Sequence, residues 1–142
     1  MSDKLIFETA NFTAEQASGY RLPGYVIVQL KPLGTHLAAL TPEQSAELMT
    51  CLAEAERLVQ ELVEPERIYL MKFGEMVPQI HFHVVPRTAA LAAAYQAEVD
   101  DDPPLNGARV VAWLWDRHAS LGHTDAELAD FATRARASAA PG

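Results

Sequence analysis

The segment VPQIHFHVVPR at residues 77–87 constrains the fold more than any other part of the sequence. Polar and apolar side chains alternate along it, and successive side chains of a β-strand point to opposite faces, so the pattern predicts a two-faced strand. One face carries polar side chains about 6 to 7 Å apart, namely Gln79, His81 and His83. The other face, which should contact a hydrophobic core, carries Ile80, Phe82 and Val84.

The neighbouring segments predict an α+β fold, in which helices pack on a single antiparallel sheet. Strands are expected at residues 5–9, 25–30, 67–73 and 77–85, with polar connecting residues before Gly19 and a turn at Pro23-Gly24. The last two strands are close in sequence, and the turn at Gly74-Glu75 favours an antiparallel hairpin. Helices are expected at residues 88–99, 108–119 and 124–136, and a longer helix is expected between Thr41 and Pro65.

That longer helix has strong start and packing signals. Thr41 is a favourable cap, Pro42 occupies the first helical position, and Gln44 completes a capping box. Pro65 should end the helix. Its core-facing stripe at helical spacing consists of Leu48, Leu52, Ala55, Val59 and Leu62.

Composition and charge exclude several classes of partner. The net charge is -8 and the pI about 5.0, so the chain should not attract a nucleic acid polymer or an anionic membrane surface. Apolar runs are shorter than the roughly 18 residues of a membrane span. The single cysteine, Cys51, cannot form an internal disulfide, which fits a reducing compartment. We therefore expect a cytoplasmic protein without a membrane anchor.

Three roles suit the polar face of the histidine strand. The first is metal binding, but zinc usually takes about four ligands, and the other histidines show no ligand spacing, so we predict no metal. The second is covalent catalysis, in which an imidazole attacks phosphorus. The third is purely structural, since a strand histidine is often only a hydrogen-bonded scaffold residue. The histidines outside the strand are His36, His118 and His123.

The sequence QIHFHVVPR resembles the motif of the histidine triad family, His-φ-His-φ-His-φ-φ with φ hydrophobic, including the trailing Pro86-Arg87. Shorter similarities precede it in the order and spacing of that family: IFET at 6–9, LPGYVIV at 22–28 and THLAALTPEQ at 35–44. The resemblance covers about residues 5–87. We interpret residues 1–142 as a single domain of this type, in which residues 88–142 form a helical extension at the carboxyl end.

The resemblance implies a homodimer that needs no cofactor and acts at the α-phosphate of a nucleotide. It implies that His81 is the nucleophile, that His83 binds the phosphoryl oxygens, and that the Gln79 carbonyl accepts the Nδ1 proton of His81. The expected products are those of hydrolysis or nucleotidyl transfer through a covalent histidine intermediate. The expected substrate resembles a dinucleoside polyphosphate.

The sequence departs from the family pattern at several site positions. Gln79 replaces the first histidine of the motif, and because an amide cannot deliver a proton, leaving groups that depart as anions should be preferred. Glu75 and Met76 replace a phosphate-binding glutamine and a small hydroxyl residue, and a carboxylate repels phosphate. Ala17 occupies the ribose-binding position, with Ser18 the nearest polar residue. The predicted substrate-binding residues are Tyr25, Gly74, Glu75, Met76 and Arg87.

These departures leave a second function open. The chain can instead be a catalytically weak module that binds a nucleotide or a protein partner on the same fold. Trp113 and Trp115 are interpreted as core or subunit-contact aromatics rather than base-stacking platforms. The apolar segment 110–115 is the candidate for a dimer contact.

Overall fold

The computed structural model describes residues 2–141, which form one sheet with helices on both of its faces. The five strands of these residues are antiparallel to their neighbours and lie in the order β1-β2-β3-β5-β4. The predicted α+β fold class is confirmed. The strands are β1 (Leu5–Glu8), β2 (Phe12–Gln16), β3 (Val26–Leu30), β4 (Arg67–Met71) and β5 (His81–Arg87). The helices are α1 (Pro42–Val63), α2 (Ala89–Glu98), α3 (Gly107–Arg117) and α4 (Asp125–Ser138).

The strand β2 is absent from the sequence prediction. Its side chains alternate between buried and half-buried positions, but the buried set is Phe12, Ala14 and Gln16, of which only phenylalanine is a strong strand former. Gln16 can be buried because its side chain donates to the Ala17 and Leu22 carbonyls and accepts from the Gly24 N–H. Because this buried position is polar, the hydrophobic alternation in the sequence does not indicate the strand.

The hairpin of β4 and β5 is confirmed, although its strands are shorter than predicted. Met71 pairs with His83 in an antiparallel register. However, β4 ends at Met71 and β5 begins at His81, so residues 72–80 form a loop rather than a tight turn. Pro78 within this loop lacks a backbone N–H and so could not donate a hydrogen bond to a strand ladder there.

The main hydrophobic core lies between the sheet and the helices α1 and α4. Thr41 and Gln44 form the predicted capping box at the start of α1, which ends at Val63 before Glu64 adopts a left-handed conformation with φ 53°. The predicted stripe of α1 faces this core, together with Cys51 and Leu58. Within residues 2–141, no helix combines the length and apolar character needed to cross a membrane.

Helices α2 and α3 pack on the opposite face of the sheet, the face that carries the histidines. A second core there includes Tyr25, Val85, Leu91 and Leu114. Val110, Val111 and Leu114 of α3 are buried within the chain. Ala112, Trp113 and Trp115 of the same helix are exposed or half-buried. The subunit contact through residues 110–115 stays a prediction.

Candidate active site

The two histidines of β5 lie side by side on one face of the sheet. β5 is an interior strand, in which His81 pairs with Gln29, and His83 lies between Ile27 of β3 and Met71 of β4. The imidazole centroids are 5.1 Å apart. The alternation predicted from sequence is present, since Ile80 and Val84 are buried in the main core on the other face.

A backbone contact fixes the tautomer of His81. Its Nδ1 lies 2.8 Å from the carbonyl oxygen of Gln79. A carbonyl only accepts hydrogen bonds, so Nδ1 must carry the proton and donate it. The half-buried ring consequently keeps an unprotonated Nε2, which is the nitrogen with a free lone pair for attack.

His83 has the opposite arrangement. Its Nδ1 lies 2.7 Å from the hydroxyl oxygen of Tyr25, and this oxygen also accepts a 2.9 Å hydrogen bond from the indole N–H of Trp115. Since the indole only donates, the tyrosine hydroxyl proton is available for Nδ1 of His83. Nε2 of His83 then carries the proton of the neutral ring and is a hydrogen-bond donor.

Burial keeps His83 uncharged at neutral pH. The side chain is 6% exposed, and burial, with a smaller contribution from nearby His81, lowers the pKa of His83 from 6.5 to about 4. Burial also raises the pKa of the Tyr25 phenol, so that it stays protonated. The pair therefore meets as a neutral phenol and a neutral imidazole.

Aromatic rings surround the histidines. Tyr20 stacks on Tyr25 with centroids 4.9 Å apart and on Trp115 at 5.4 Å. Phe73 meets Trp115 edge to face at 5.5 Å. Sequence reasoning missed Tyr20 and Phe73, and it interpreted Trp115 only as a packing residue. The pattern of aromatic residues offers no signal that three distant segments converge on β5.

The side chain of Gln79 is engaged with the loop that follows β3. Its amide nitrogen donates to the Leu30 carbonyl at 2.6 Å and to the Pro32 carbonyl, and its amide oxygen accepts from the Gly34 N–H at 3.0 Å. Both amide protons are thus used within the chain. A contact of this amide with a leaving-group oxygen requires one of these bonds to be exchanged.

The remaining predicted substrate residues occupy different places. Gly74, with φ 77°, and the exposed Glu75 and Met76 lie in the loop that precedes β5. Arg87 lies at the far end of β5, about 13 Å beyond His83 at the rise of a strand. Its guanidinium donates to the Tyr69 hydroxyl at 3.1 Å. The structure thus brings Tyr25 to the histidines but not Arg87.

The other histidines lie away from β5 or have different partners. His118 accepts the backbone N–H of Arg21 at 3.1 Å, and Nδ1 of His123 lies 3.2 Å from a Glu127 carboxylate oxygen. Among the residues that the structure describes, no three His, Cys, Asp or Glu side chains are grouped to hold a metal ion.

Comparison with protein families identifies the amino-terminal part of the chain. The model of the HIT domain matches residues 1–90, which is more than half of the sequence and includes both histidines. The chain belongs to the HIT domain family. The resemblance seen in the histidine motif is thereby confirmed.

Solved structures of HIT proteins share the fold of the chain. A histidine triad protein from Bradyrhizobium japonicum superposes with a TM-score of 0.65 at 19% identity, covering 94% of this chain and 87% of that one. A Hit-like protein from Bartonella henselae, described as involved in cell-cycle regulation, gives 0.61 at 17% identity, covering 96% and 87%. A hypothetical histidine triad nucleotide-binding protein from Sulfolobus tokodaii gives 0.55 at 12% identity, covering 92% and 83%. A search of curated proteins found no match.

The match to the HIT domain divides the site into two parts. Residues 1–90 contain His81, His83 and Tyr25. Trp115 lies beyond them in α3, yet its indole contacts the Tyr25 hydroxyl. Part of the surroundings of the histidines in this HIT protein therefore comes from outside the matched region.

Proposed function

We propose that the chain is a nucleotide hydrolase or nucleotidyl transferase that acts at an α-phosphate through a covalent intermediate on His81. The observation that carries the proposal is the 2.8 Å contact from Nδ1 of His81 to the Gln79 carbonyl, which leaves Nε2 unprotonated. Membership of the HIT domain family supports the same reaction class.

The proposed reaction has two displacements at phosphorus. In the first, Nε2 of His81 bonds to the α-phosphorus while the bond from phosphorus to the leaving-group oxygen breaks, and the oxygen departs with the electron pair. The imidazole becomes cationic, and the Gln79 carbonyl stabilises it through the Nδ1 proton. In the second, water or another hydroxyl bonds to phosphorus and loses a proton to solvent, the P–N bond breaks with its electron pair returning to Nε2, and His81 recovers its lone pair.

The two neighbouring imidazoles are proposed to divide the work. His81 supplies the lone pair, and the neutral His83, with its proton on Nε2, donates a hydrogen bond to a phosphoryl oxygen. A donor aimed at developing negative charge commonly contributes 10²- to 10³-fold to a rate, in order of magnitude. Two identical side chains thereby act as nucleophile and oxyanion donor.

The leaving group is proposed to be a phosphate chain, as in a dinucleoside polyphosphate. Gln79 cannot donate a proton as an acid, and its amide protons already bind the Leu30 and Pro32 carbonyls. A phosphate leaves as a stable anion and needs no proton, whereas an amine does. The nucleotide itself is inferred from the family and from the nucleotide-binding protein of Sulfolobus tokodaii, which has the same fold.

The decisive experiment is to trap the intermediate. The protein is incubated with a dinucleoside polyphosphate, quenched without acid, and weighed intact by mass spectrometry. We expect an adduct with the mass of one nucleotidyl group, and His81→Ala should abolish it. If substrate is consumed equally by the variant, His81 is not the nucleophile.

The engagement of Gln79 also favours a second candidate function, a nucleotide-binding or interaction module without significant turnover. The same incubation separates the two. Tight binding of the dinucleoside polyphosphate, with neither adduct nor product, supports the module and refutes the enzyme.

We propose further that the protein acts in the cytoplasm as a homodimer and binds neither nucleic acid polymers nor membranes. The buried, free Cys51 fits a reducing compartment, and the net charge of -8 opposes binding to polyanions. No cofactor is needed for the proposed chemistry.

A further inference from the structure

A chain of hydrogen bonds connects α3 with the histidine strand. The Trp115 indole N–H donates to the Tyr25 hydroxyl oxygen at 2.9 Å, and the Tyr25 hydroxyl lies 2.7 Å from Nδ1 of His83. The indole nitrogen can only donate, so the Tyr25 oxygen is the acceptor of the first bond. Among the described residues, Nδ1 of His83 is the one acceptor within reach of the phenolic proton.

From this geometry we infer that Trp115 and Tyr25 are positioning residues that hold His83 in the tautomer with its proton on Nε2. The inference deepens the proposed function. It rests on that function only for one point, namely that the group bound by Nε2–H of His83 is a phosphoryl oxygen. The tautomer itself depends on the observed contacts. Trp115 thereby gives the carboxyl-terminal part of the chain, beyond the matched HIT domain, a role in the site.

The packing keeps the three groups in place. Tyr25 is fully buried, and Tyr20 stacks on it at 17° and on the Trp115 ring at 19°. His83 lies within 5.8 Å of the Trp115 ring by centroid. A buried phenol whose oxygen already accepts one strong hydrogen bond has little freedom to turn its proton away from His83.

The alternative tautomer would place a lone pair at Nε2 of His83. Such a nitrogen repels a phosphoryl oxygen instead of binding it. Trp115 works against this state, because Nδ1–H and the indole N–H would then both point at the Tyr25 oxygen while the buried phenolic proton would lose its acceptor. Removing the indole N–H should therefore let His83 exchange between tautomers, even if every ring stays in place.

The first measurement is the ¹⁵N spectrum of the imidazoles without any substrate. In the unaltered protein at pH 7 we expect Nδ1 of His83 to be unprotonated and Nε2 protonated, and His81 to show the reverse. Trp115→Phe and Tyr25→Phe each keep an aromatic ring, and each should shift the His83 signals towards a mixture of tautomers. Unchanged His83 signals in both variants would overturn the inference.

The second measurement is the rate at which the nucleotidyl adduct forms. Loss of one hydrogen bond in the chain from Trp115 to His83 should slow adduct formation by about tenfold. The effect on substrate affinity should be smaller than the effect on this rate. Trp113→Phe is the matched control, since it removes an indole N–H of the same helix that donates to Glu98 at 3.1 Å. An equal slowing by the Trp113 and Trp115 variants would mean that only the packing of α3 matters.

The two measurements separate the inference from the proposed function. If the unaltered protein forms no adduct, the proposed function fails, whereas the His83 spectrum still reports whether Trp115 and Tyr25 set the tautomer. If the adduct forms but at the same rate in the Trp115→Phe variant, the positioning role is refuted and the function stands.

Discussion

His81 and His83 are the same side chain two positions apart, and their partners alone make them chemically different. A backbone carbonyl takes the Nδ1 proton of His81, whereas a tyrosine hydroxyl supplies a proton to Nδ1 of His83. The hydrogen-bond partner of each histidine therefore determines which of its ring nitrogens carries the proton. The resemblance to the histidine triad motif predicted the carbonyl contact, whose acceptor lies two residues before His81 in the sequence. It did not predict the partner of His83, because Tyr25 is 58 residues away from His83 in the sequence, and Trp115 is 90 residues away from Tyr25.

The lowered pKa of His83 predicts a loss of stability in acid. The imidazole takes up its proton near pH 6.5 in the unfolded chain but near pH 4 in the folded one, so the unfolded state binds more protons between these values. The stabilisation is complete above about pH 6.5 and is lost as the pH falls towards 4. The shift from 6.5 to about 4 corresponds to about 3 kcal/mol.

Chemical denaturation at pH 7 and pH 4 measures this contribution. The unaltered protein should lose about 3 kcal/mol more between the two pH values than His83→Asn does. Carboxylates with a shifted pKa, such as Glu47, where burial opposes the shift but hydrogen bonds from Asn11 and Thr9 lower the pKa, are present in both proteins, so their contribution cancels in the comparison. His36→Asn, at an exposed position, is the control and should behave as the unaltered protein. Equal losses in the His83 variant would contradict the prediction.

Gln79 predicts the order of substrates. Without an acid at this position, a nucleoside phosphoramidate should react about a hundredfold more slowly than a dinucleoside polyphosphate, because general acid catalysis typically contributes at least that factor. Turnover of both substrates is measured at pH 7, with His81→Ala as the blank. Comparable rates would show that a proton reaches the amine by another route.

At the scale of elements, the turn before β3 determines where Tyr25 lies. Gly24 has φ 92°, and a Cβ there would lie 2.8 Å from Cγ2 of Val63, so glycine is needed for the chain to enter β3. Tyr25 then points to the same face as His83 by strand alternation. The turn at Pro23-Gly24 was predicted from the sequence, but the sequence did not show that this turn places Tyr25 beside His83.

Gly24→Ala tests this turn. A non-glycine residue at positive φ costs about 1–2 kcal/mol, and the contact with Val63 adds to that cost. Gly122→Ala is the matched control, because Gly122 has φ 83° but nothing within 4 Å of the added carbon. We expect a clearly larger fall in the free energy of unfolding for the Gly24 variant, measured by denaturant titration. Equal losses would mean that the close approach to Val63 relaxes freely.

Elements with strong local chemistry were predictable, and those defined by distant contacts were not. The capping box predicted at Thr41 is present at the start of α1. The last helix, expected from residue 124, begins after Thr124, which forms a second capping box with Glu127. By contrast, β2 is recognisable only once Gln16 is known to bind the backbone near Leu22. The start of β5 was predicted too early because residues 77–80 continue the alternating pattern without pairing as a strand.

At the scale of the whole molecule, the two edges of the sheet differ. The edge strand β1 has four residues, and Arg136 of α4 donates to its Leu5 carbonyl at 2.9 Å. The other edge, β4, borders an apolar groove of about 610 Å³ that lies against α3. Leu70 and Phe73 line this groove and are 44% and 56% exposed. An exposed apolar edge strand is an unprotected surface for pairing with another chain.

We propose that a second copy of the chain covers the β4 edge and forms the contact of the proposed homodimer. Light scattering at micromolar concentration should report twice the mass of 15.6 kDa. Leu70→Glu places a charge in the contact and should yield a monomer with an unchanged circular dichroism spectrum. Leu33→Glu is the control, because Leu33 is 98% exposed in the loop that follows β3 and should leave the dimer intact. A monomer in the unaltered protein would refute the dimer, and a dimer that survives Leu70→Glu would move the contact away from β4.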